Sequence, residues 1–227
     1  MALEGLSPTD RTRIRRERER AADDRADLRA LLDEAVVCHL GVVDAGGVRV
    51  VPTLAAPRWD GPDPYGTLYL HGSVASQALM AAPLDRICAT VTLLDGLVLA
   101  RSGFMHSVNY RSAVVYGVPR VVDDPDEKDL ALTLMVDHVV AGRAGHLRAP
   151  TRKELAATSV LALSLHEASV KQRNGDPEDE PWDVDPQVWA GVVPLRLRAD
   201  DVVTAAGVEA HVPEHVNAAV RSRFPPA

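Results

Sequence analysis

Twelve consecutive residues, Arg101 to Ser112, carry two Arg, one His, three Ser, one Asn and one Tyr between two apolar runs. Burying such groups without partners costs about 1–3 kcal/mol each. They therefore either lie on a solvated loop or line a polar site. Upstream, Tyr69-Leu70-His71-Gly72-Ser73-Val74-Ala75-Ser76 ends a strand, turns on a glycine and places two hydroxyls at the mouth of a short helix. The unpaired N–H groups and partial positive charge of a helix start suit a phosphate, and Ser73 and Ser76 add donors. Plain helix capping uses the same serines without any ligand. Val51-Pro52-Thr53-Leu54 sets a proline inside an apolar strand. It either frees backbone groups to face a planar heterocycle or marks an edge bulge. Lys171-Gln172-Arg173 precedes an acidic, proline-rich loop over 173–187, and Trp189 follows it. A tryptophan there either stacks on a ring or fills core.

Several chemistries lack their signatures. No Gly-x-Gly-x-x-Gly follows a strand, and no Walker loop or Gly-x-Ser-x-Gly elbow occurs. The eight histidines offer no His-x-x-x-His pair on a convincing helix, and the two cysteines are isolated, so no metal site is expected. Cys38 and Cys88 each sit in an apolar run and read as buried thiols. His39, His138, His146, His166, His211 and His215 read as ordinary side chains.

The elements that must position these groups are mostly short strands. Val36–Val43 and Val48–Leu54 flank Asp44-Ala45-Gly46-Gly47, which reads as a hairpin. Further strands are expected at 67–71, 87–93, 97–100, 113–122, 159–165 and 188–197, with Leu94-Asp95-Gly96 as a turn. Helices are expected at about 8–34, beginning at Ser7-Pro8, then at 74–82, from Asp124-Pro125 onward, at Thr151-Arg-Lys-Glu154 with capping-box spacing, and at about 213–224. Strands do not alternate regularly with crossover helices, which argues against a parallel sheet. The expectation is a mainly β (α+β) fold. It forms a mostly antiparallel barrel with peripheral helices, and no linker divides the 227 residues into two domains.

Composition narrows the function classes. The formal net charge is −7, which argues against a nucleic-acid surface. The basic run from Arg11 to Arg20 is followed by Asp23, Asp24 and Asp27 and reads as a solvated, ion-paired face. No apolar stretch is long enough to span a bilayer, and no apolar signal core opens the sequence, so a cytoplasmic location is expected.

Taken in order, Val37-Cys-His-Leu-Gly41, Val51-Pro-Thr53, Leu68-Tyr-Leu-His-Gly-Ser73 with Ser76, Val91 to Ser102, His106-Ser-Val-Asn-Tyr-Arg-Ser112 and Trp189-Ala-Gly-Val-Val-Pro194 resemble the pyridoxamine 5′-phosphate oxidase-related, FMN-binding split-barrel family. The branch that includes the nitroimidazole-resistance type flavoproteins is the nearer likeness. The match spans about residues 13–196, and the His106–Ser112 stretch is its most specific part.

The resemblance implies a six-stranded antiparallel split barrel that works as a homodimer, with FMN at the subunit interface. It implies that Ser73 and Ser76, with His71 and Gly72, hold the phosphate, and that the ring lies against Pro52, Thr53 and Leu54. Thr92, Ser107, Asn109, Tyr110, Arg111, Ser112, Lys171 and Trp189 complete the implied cofactor site. Gln77 stands where related barrels often have a basic residue, and Arg111 or Lys171 supplies that charge instead. The basic set with which vitamin B6 oxidases hold a phosphorylated substrate is absent, so that substrate is not assigned. The leading expectation is a flavin-dependent oxidoreductase acting on a small planar molecule, with His71 and His106 as candidate proton donors. The alternatives are a flavin or haem binding or sensor protein without turnover, and a deazaflavin-dependent reductase on the same barrel.

Overall fold

The computed structural model describes residues 5–6, 9–82, 85–183, 185 and 187–225. Ten strands form one antiparallel sheet that does not close on itself. They are β1 (Ala21–Ala22), β2 (Val37–Asp44), β3 (Gly47–Arg58), β4 (Thr67–Ser73), β5 (Ile87–Leu99), β6 (Ser107–Gly117), β7 (Arg120–Val121), β8 (Thr158–Ser164), β9 (Glu167–Arg173) and β10 (Gly191–Pro194). Their order is β1-β9-β6-β5-β2-β3-β4-β8-β7, with β10 beside β5. The mainly antiparallel, split-barrel expectation holds, while the strand number exceeds the six expected. Three of the ten are short pieces, β1, β7 and β10, of two, two and four residues.

Strict alternation of burial shows why these residues form these strands. Cys38, Leu40 and Val42 on β2, Ala89 and Val91 on β5, Ala113 and Val115 on β6, and Ala168 and Val170 on β9 all point into one core. Helix α1 (Arg25–Glu34) adds Leu28, Leu31 and Leu32 to the same core, at i, i+3 and i+4. Asp24 caps α1 by accepting from the Ala26 N–H at 2.8 Å. Burial holds the Cys38 thiol up to about 12, so it stays protonated and inert. A second, smaller core lies outside the sheet. There Ala56 and Tyr69 of β3 and β4 meet Ala131 and Met135 of α3 (Pro125–Val139). Between β4 and β5 lies α2 (Gln77–Ala81); α4 (Arg152–Ala157) and α5 (Glu214–Arg223) complete the helices. The capping box expected at Thr151 and Glu154 is formed in both directions.

Three expectations are corrected. The N-terminal helix expected over 8–34 is α-helical only from Arg25, with a single 3-10 turn at Arg18–Arg20 before it; its Ser7-Pro8 start lies outside the described residues. Ala21 and Ala22 instead pair with Lys171 and Val170 at the edge of β9. Glu17, with φ 52°, breaks the path between a bonded Thr9–Thr12 turn and that strand. Tertiary pairing thus overrides the helical propensity of an Arg/Glu run. The expected turn at Leu94-Asp95-Gly96 is a β-bulge inside one continuous strand: Leu94 pairs with Tyr110 and Gly96 with Asn109, leaving Asp95 as the extra residue. The strand Glu167–Arg173 was not expected, because its sequence, Glu-Ala-Ser-Val-Lys-Gln-Arg, has only two inward apolar residues. No helix among the described residues is long and apolar enough to cross a membrane.

Candidate functional site

The pleat that buries one face of the barrel wall turns the alternate residues outward. On β3 those are Val50, Pro52 and Leu54; on β2, Val37, His39 and Val43. On β5 they are Thr90, Thr92 and Leu94, and on β6 and β9, Tyr110, Ser112, Val114, Ser169 and Lys171. Register draws them into rows. Pro52 lies opposite His39, His39 opposite Thr90, Thr90 opposite Val114, and Val114 opposite Ser169. The next row runs Thr92, Ser112, Lys171. Val43, Val48 and Val50 are 55%, 81% and 61% exposed.

The implied site residues divide between this face and other places. Pro52, Leu54, Thr92, Tyr110, Ser112 and Lys171 share it. The Ser112 hydroxyl donates to the Lys171 carbonyl at 3.1 Å, and Lys171 Nζ donates to the Arg16 carbonyl at 3.2 Å. Thr53 points to the interior and donates to the His71 carbonyl at 3.3 Å. His71 lies beyond Leu54 on the outer side of β4, where its strand runs under α3. Gly72 faces inward, where a Cβ would meet Leu79 at 3.0 Å. Ser73 accepts from the Ala75 N–H at 3.1 Å, an ST turn, and Ser76 is the N-cap of α2 without a side-chain capping bond among the described residues.

Four others serve elsewhere. Asn109 is buried; its amide donates to the Gly175 carbonyl and its oxygen accepts from Arg173 at 2.6 Å, pinning the start of the acidic loop. Ser107 opens β6 opposite Val98. Trp189 is 65% exposed and leans over Gly191, beside the C-terminal end of β5. Arg111 points to the inner side and grips Glu34 and Asp95.

The two candidate histidines differ. His106 is exposed, and its Nδ1 donates to the Ser102 carbonyl at 2.8 Å, closing the turn at Gly103–Met105. His71 is half-buried; its Nδ1 is buried with no partner among the described residues. Burial pushes its pKa below the ordinary imidazole value, so it is neutral at pH 7 and suits an electrophile as a ligand better than the proton donation expected from sequence.

A cavity of about 1080 Å³ opens beside this face. It lies between the end of α1, Thr92–Asp95 of β5, Arg111 of β6, residues 194–198 and the end of α5. Arg196, Arg198 and Arg223 line it and were not singled out from sequence. The alternation Leu195-Arg196-Leu197-Arg198 after Pro194 is the signal that could have found them. His39, read as ordinary, proves to be exposed in the middle of the open face. No group of three or more His, Cys, Asp or Glu among the described residues could hold a metal ion.

Comparison with solved structures gives extensive matches. The flavocytochrome Anf3 from Azotobacter vinelandii is 34% identical with a TM-score of 0.85, over 94% of this chain and 98% of that one. An FAD and haem binding protein from Mycobacterium smegmatis is 34% identical with a TM-score of 0.80, over 88% and 97%. A protein named as a candidate 5-nitroimidazole antibiotic resistance protein, from Bacteroides thetaiotaomicron, shares the fold at 21% identity and a TM-score of 0.54, over 66% and 85%. No curated protein sequence matches. The family model described as pyridoxamine 5′-phosphate oxidase matches residues 24–172, from just before α1 to β9, and the chain belongs to that family.

Proposed function

We propose that this chain is a flavin-dependent oxidoreductase that works as a homodimer, with the flavin ring on the open outer face of β2, β3, β5 and β6. The observation that carries the reading is that face itself. It mixes a polar row, Thr92, Ser112 and Lys171, with uncovered valines at positions 37, 43, 48 and 50. A second copy laid across it would bury the valines and close the polar row around a planar ligand. Family membership and two relatives at 34% identity, one named a flavocytochrome and the other for FAD and haem, support flavin as the ligand class. FMN was the form expected from sequence; the relatives' names supply only FAD as a named flavin.

A bound flavin supplies the electron transfer. The chain's own residues do the rest. Pro52 and Leu54 offer an apolar floor, and Thr90 and Thr92 offer hydroxyls. Lys171 carries a positive charge at the end of the polar row, where it would favour an anionic group of the bound ligand. The substrate would be a small planar molecule above the ring, shielded from water by the partner copy.

The test is the visible spectrum of freshly purified protein, before and after adding flavin and desalting. Retained flavin bands near one per chain, bleached by a nicotinamide donor, are expected. A chain that keeps no flavin overturns the reading.

One observation favours a second ligand. The buried, unpartnered Nδ1 of a neutral His71 fits an iron centre, as the names of both relatives at 34% identity would suggest. In this reading His71 holds haem iron. A haem titration that gives a Soret shift in the wild type and loses it in His71→Ala tests it. Bound flavin that is never reduced would favour the sensor or store among the alternatives.

A further inference from the structure

The cavity beside the open face holds a charge pattern that the fold does not consume. Its titratable wall is made of Glu34, Asp95, Arg111, Arg196, Arg198 and Arg223. Arg111 answers both carboxylates, with contacts of 2.5 and 3.0 Å to Glu34 and 2.8 and 3.0 Å to Asp95. Arg223 spends its terminal nitrogens on carbonyls, those of His138, Asp33 and Glu34, while its Nε is buried without an acceptor. Arg196 and Arg198 have no ion pair or hydrogen bond among the described residues. The wall therefore carries two uncompensated positive charges, in a chain whose formal net charge is −7. Unanswered cations and a buried donor without an acceptor, gathered around one cavity, ask for an anionic ligand.

We infer that this cavity takes the diphosphate-bearing nucleotide half of a flavin dinucleotide, with Arg196 and Arg198 on the phosphates, so that the chain selects FAD over FMN. The inference rests on the flavin reading above. Three features set the class. Thr92 belongs both to the polar row of the open face and to the cavity wall, so a ligand lying along the row continues into the cavity. A volume of about 1080 Å³ far exceeds a single phosphate and suits a nucleotide. Leu93, Leu197 and Phe224 give the wall an apolar side with an aromatic ring on which a purine can lie. Two guanidinium forks match a diphosphate, each able to take two phosphate oxygens.

The test titrates the full chain, freed of bound flavin, with FAD, FMN and ADP, in the wild type and in Arg196→Ala/Arg198→Ala. Both arginines are exposed and unpaired, and circular dichroism checks that the variant folds. Expected are FAD binding about tenfold or more tighter than FMN in the wild type, a loss of about tenfold or more for FAD in the variant, and a clearly smaller loss for FMN, which brings only one of the two phosphates. ADP alone should raise the melting temperature of the wild type, not of the variant, and should compete with FAD. Equal affinity for FAD and FMN, untouched by the substitutions, overturns the inference. So does an equal loss for both flavins, which would put the arginines on the phosphate the two share. A variant that binds haem more weakly while its FAD affinity stays whole overturns it as well, by giving the cavity to the two carboxylates of a porphyrin. A wild-type chain that binds neither flavin fails the flavin reading itself, an outcome distinct from one that binds FMN and ignores the arginines.

Discussion

Arg111 on β6 clasps Glu34, the last residue of α1, with both terminal nitrogens, at 2.5 and 3.0 Å. The same guanidinium reaches Asp95, the extra residue of the β5 bulge, at 2.8 and 3.0 Å. Asp95 and then Glu34 raise the Arg111 pKa further above its ordinary value. One cation thus ties the helix that fills the barrel to the irregular point of its longest strand. Arg111→Ala is expected to cost about 1–3 kcal/mol, because it strands two carboxylates side by side. Arg111→Lys should recover only part, since an ammonium cannot form both forks. Urea unfolding at pH 7 measures both, and a variant as stable as the wild type would refute the clasp.

Tyr69 anchors the other side. It is fully buried between β4 and α3, and its hydroxyl donates to Glu127 at 2.7 Å. Arg120 holds the same carboxylate at 2.8 and 2.5 Å. Arg120, and then the Tyr69 hydroxyl, keep the Glu127 pKa below the ordinary carboxylate value. Tyr69→Phe is expected to cost about 1–2 kcal/mol at pH 7. The sign with pH follows from the depressed pKa. The stabilisation is present above the unfolded-state value, near 4.5, and is lost as pH falls through the lower folded value. Denaturation midpoints at pH 7 and pH 4 should therefore separate Tyr69→Phe from wild type at the first pH more than at the second.

Much of the barrel was legible because its strands are written in Val, Leu and Ala at period two, as in Val37–Val43. What escaped was set by partners far away in sequence. Ala21-Ala22 has no strand signature of its own and pairs only because the edge of β9 is there. The bulge at Asp95 looks like a turn locally; its continuity depends on β6 running past it without a break. The site divided in the same way. Thr92, Ser112 and Lys171 share a row because register aligns three strands, while Asn109, from the same polar stretch, is consumed by Arg173 and Gly175. Sequence supplied the density of polar groups, and only the pairing says which of them face out.

Two half-buried imidazoles make stability depend on mildly acidic pH. Burial lowers the pKa of both His71 and His138; His138 also donates Nε2–H to the Ala35 carbonyl at 2.6 Å. Above the ordinary value of about 6.5 both states are neutral and nothing is lost. Below it the unfolded chain takes up protons that the folded chain refuses, so stability falls as pH drops toward the lower folded values. Chemical denaturation from pH 7.5 to 5 is expected to show this slope. His71→Gln should flatten part of it while leaving the His138 share, and an unchanged slope would remove His71 from the account.

The open valine face carries the last prediction. Val48 and Val50 are 81% and 61% exposed on β3, beside Val43 at 55% on β2, and β-branched side chains so placed gain from a cover that excludes water. An uncovered sheet face of this kind also invites self-association. If a second copy is that cover, a charge at its centre must be desolvated without a partner on pairing, which costs several kcal/mol. Val50→Glu points into solvent in the separate chain, so it should leave the fold intact while splitting the dimer. Sedimentation velocity at micromolar concentration is expected to give a dimer for the wild type and a monomer for Val50→Glu, with flavin retention falling in parallel. A wild-type monomer that still binds flavin would place the whole site within one chain and leave the valines to some other partner.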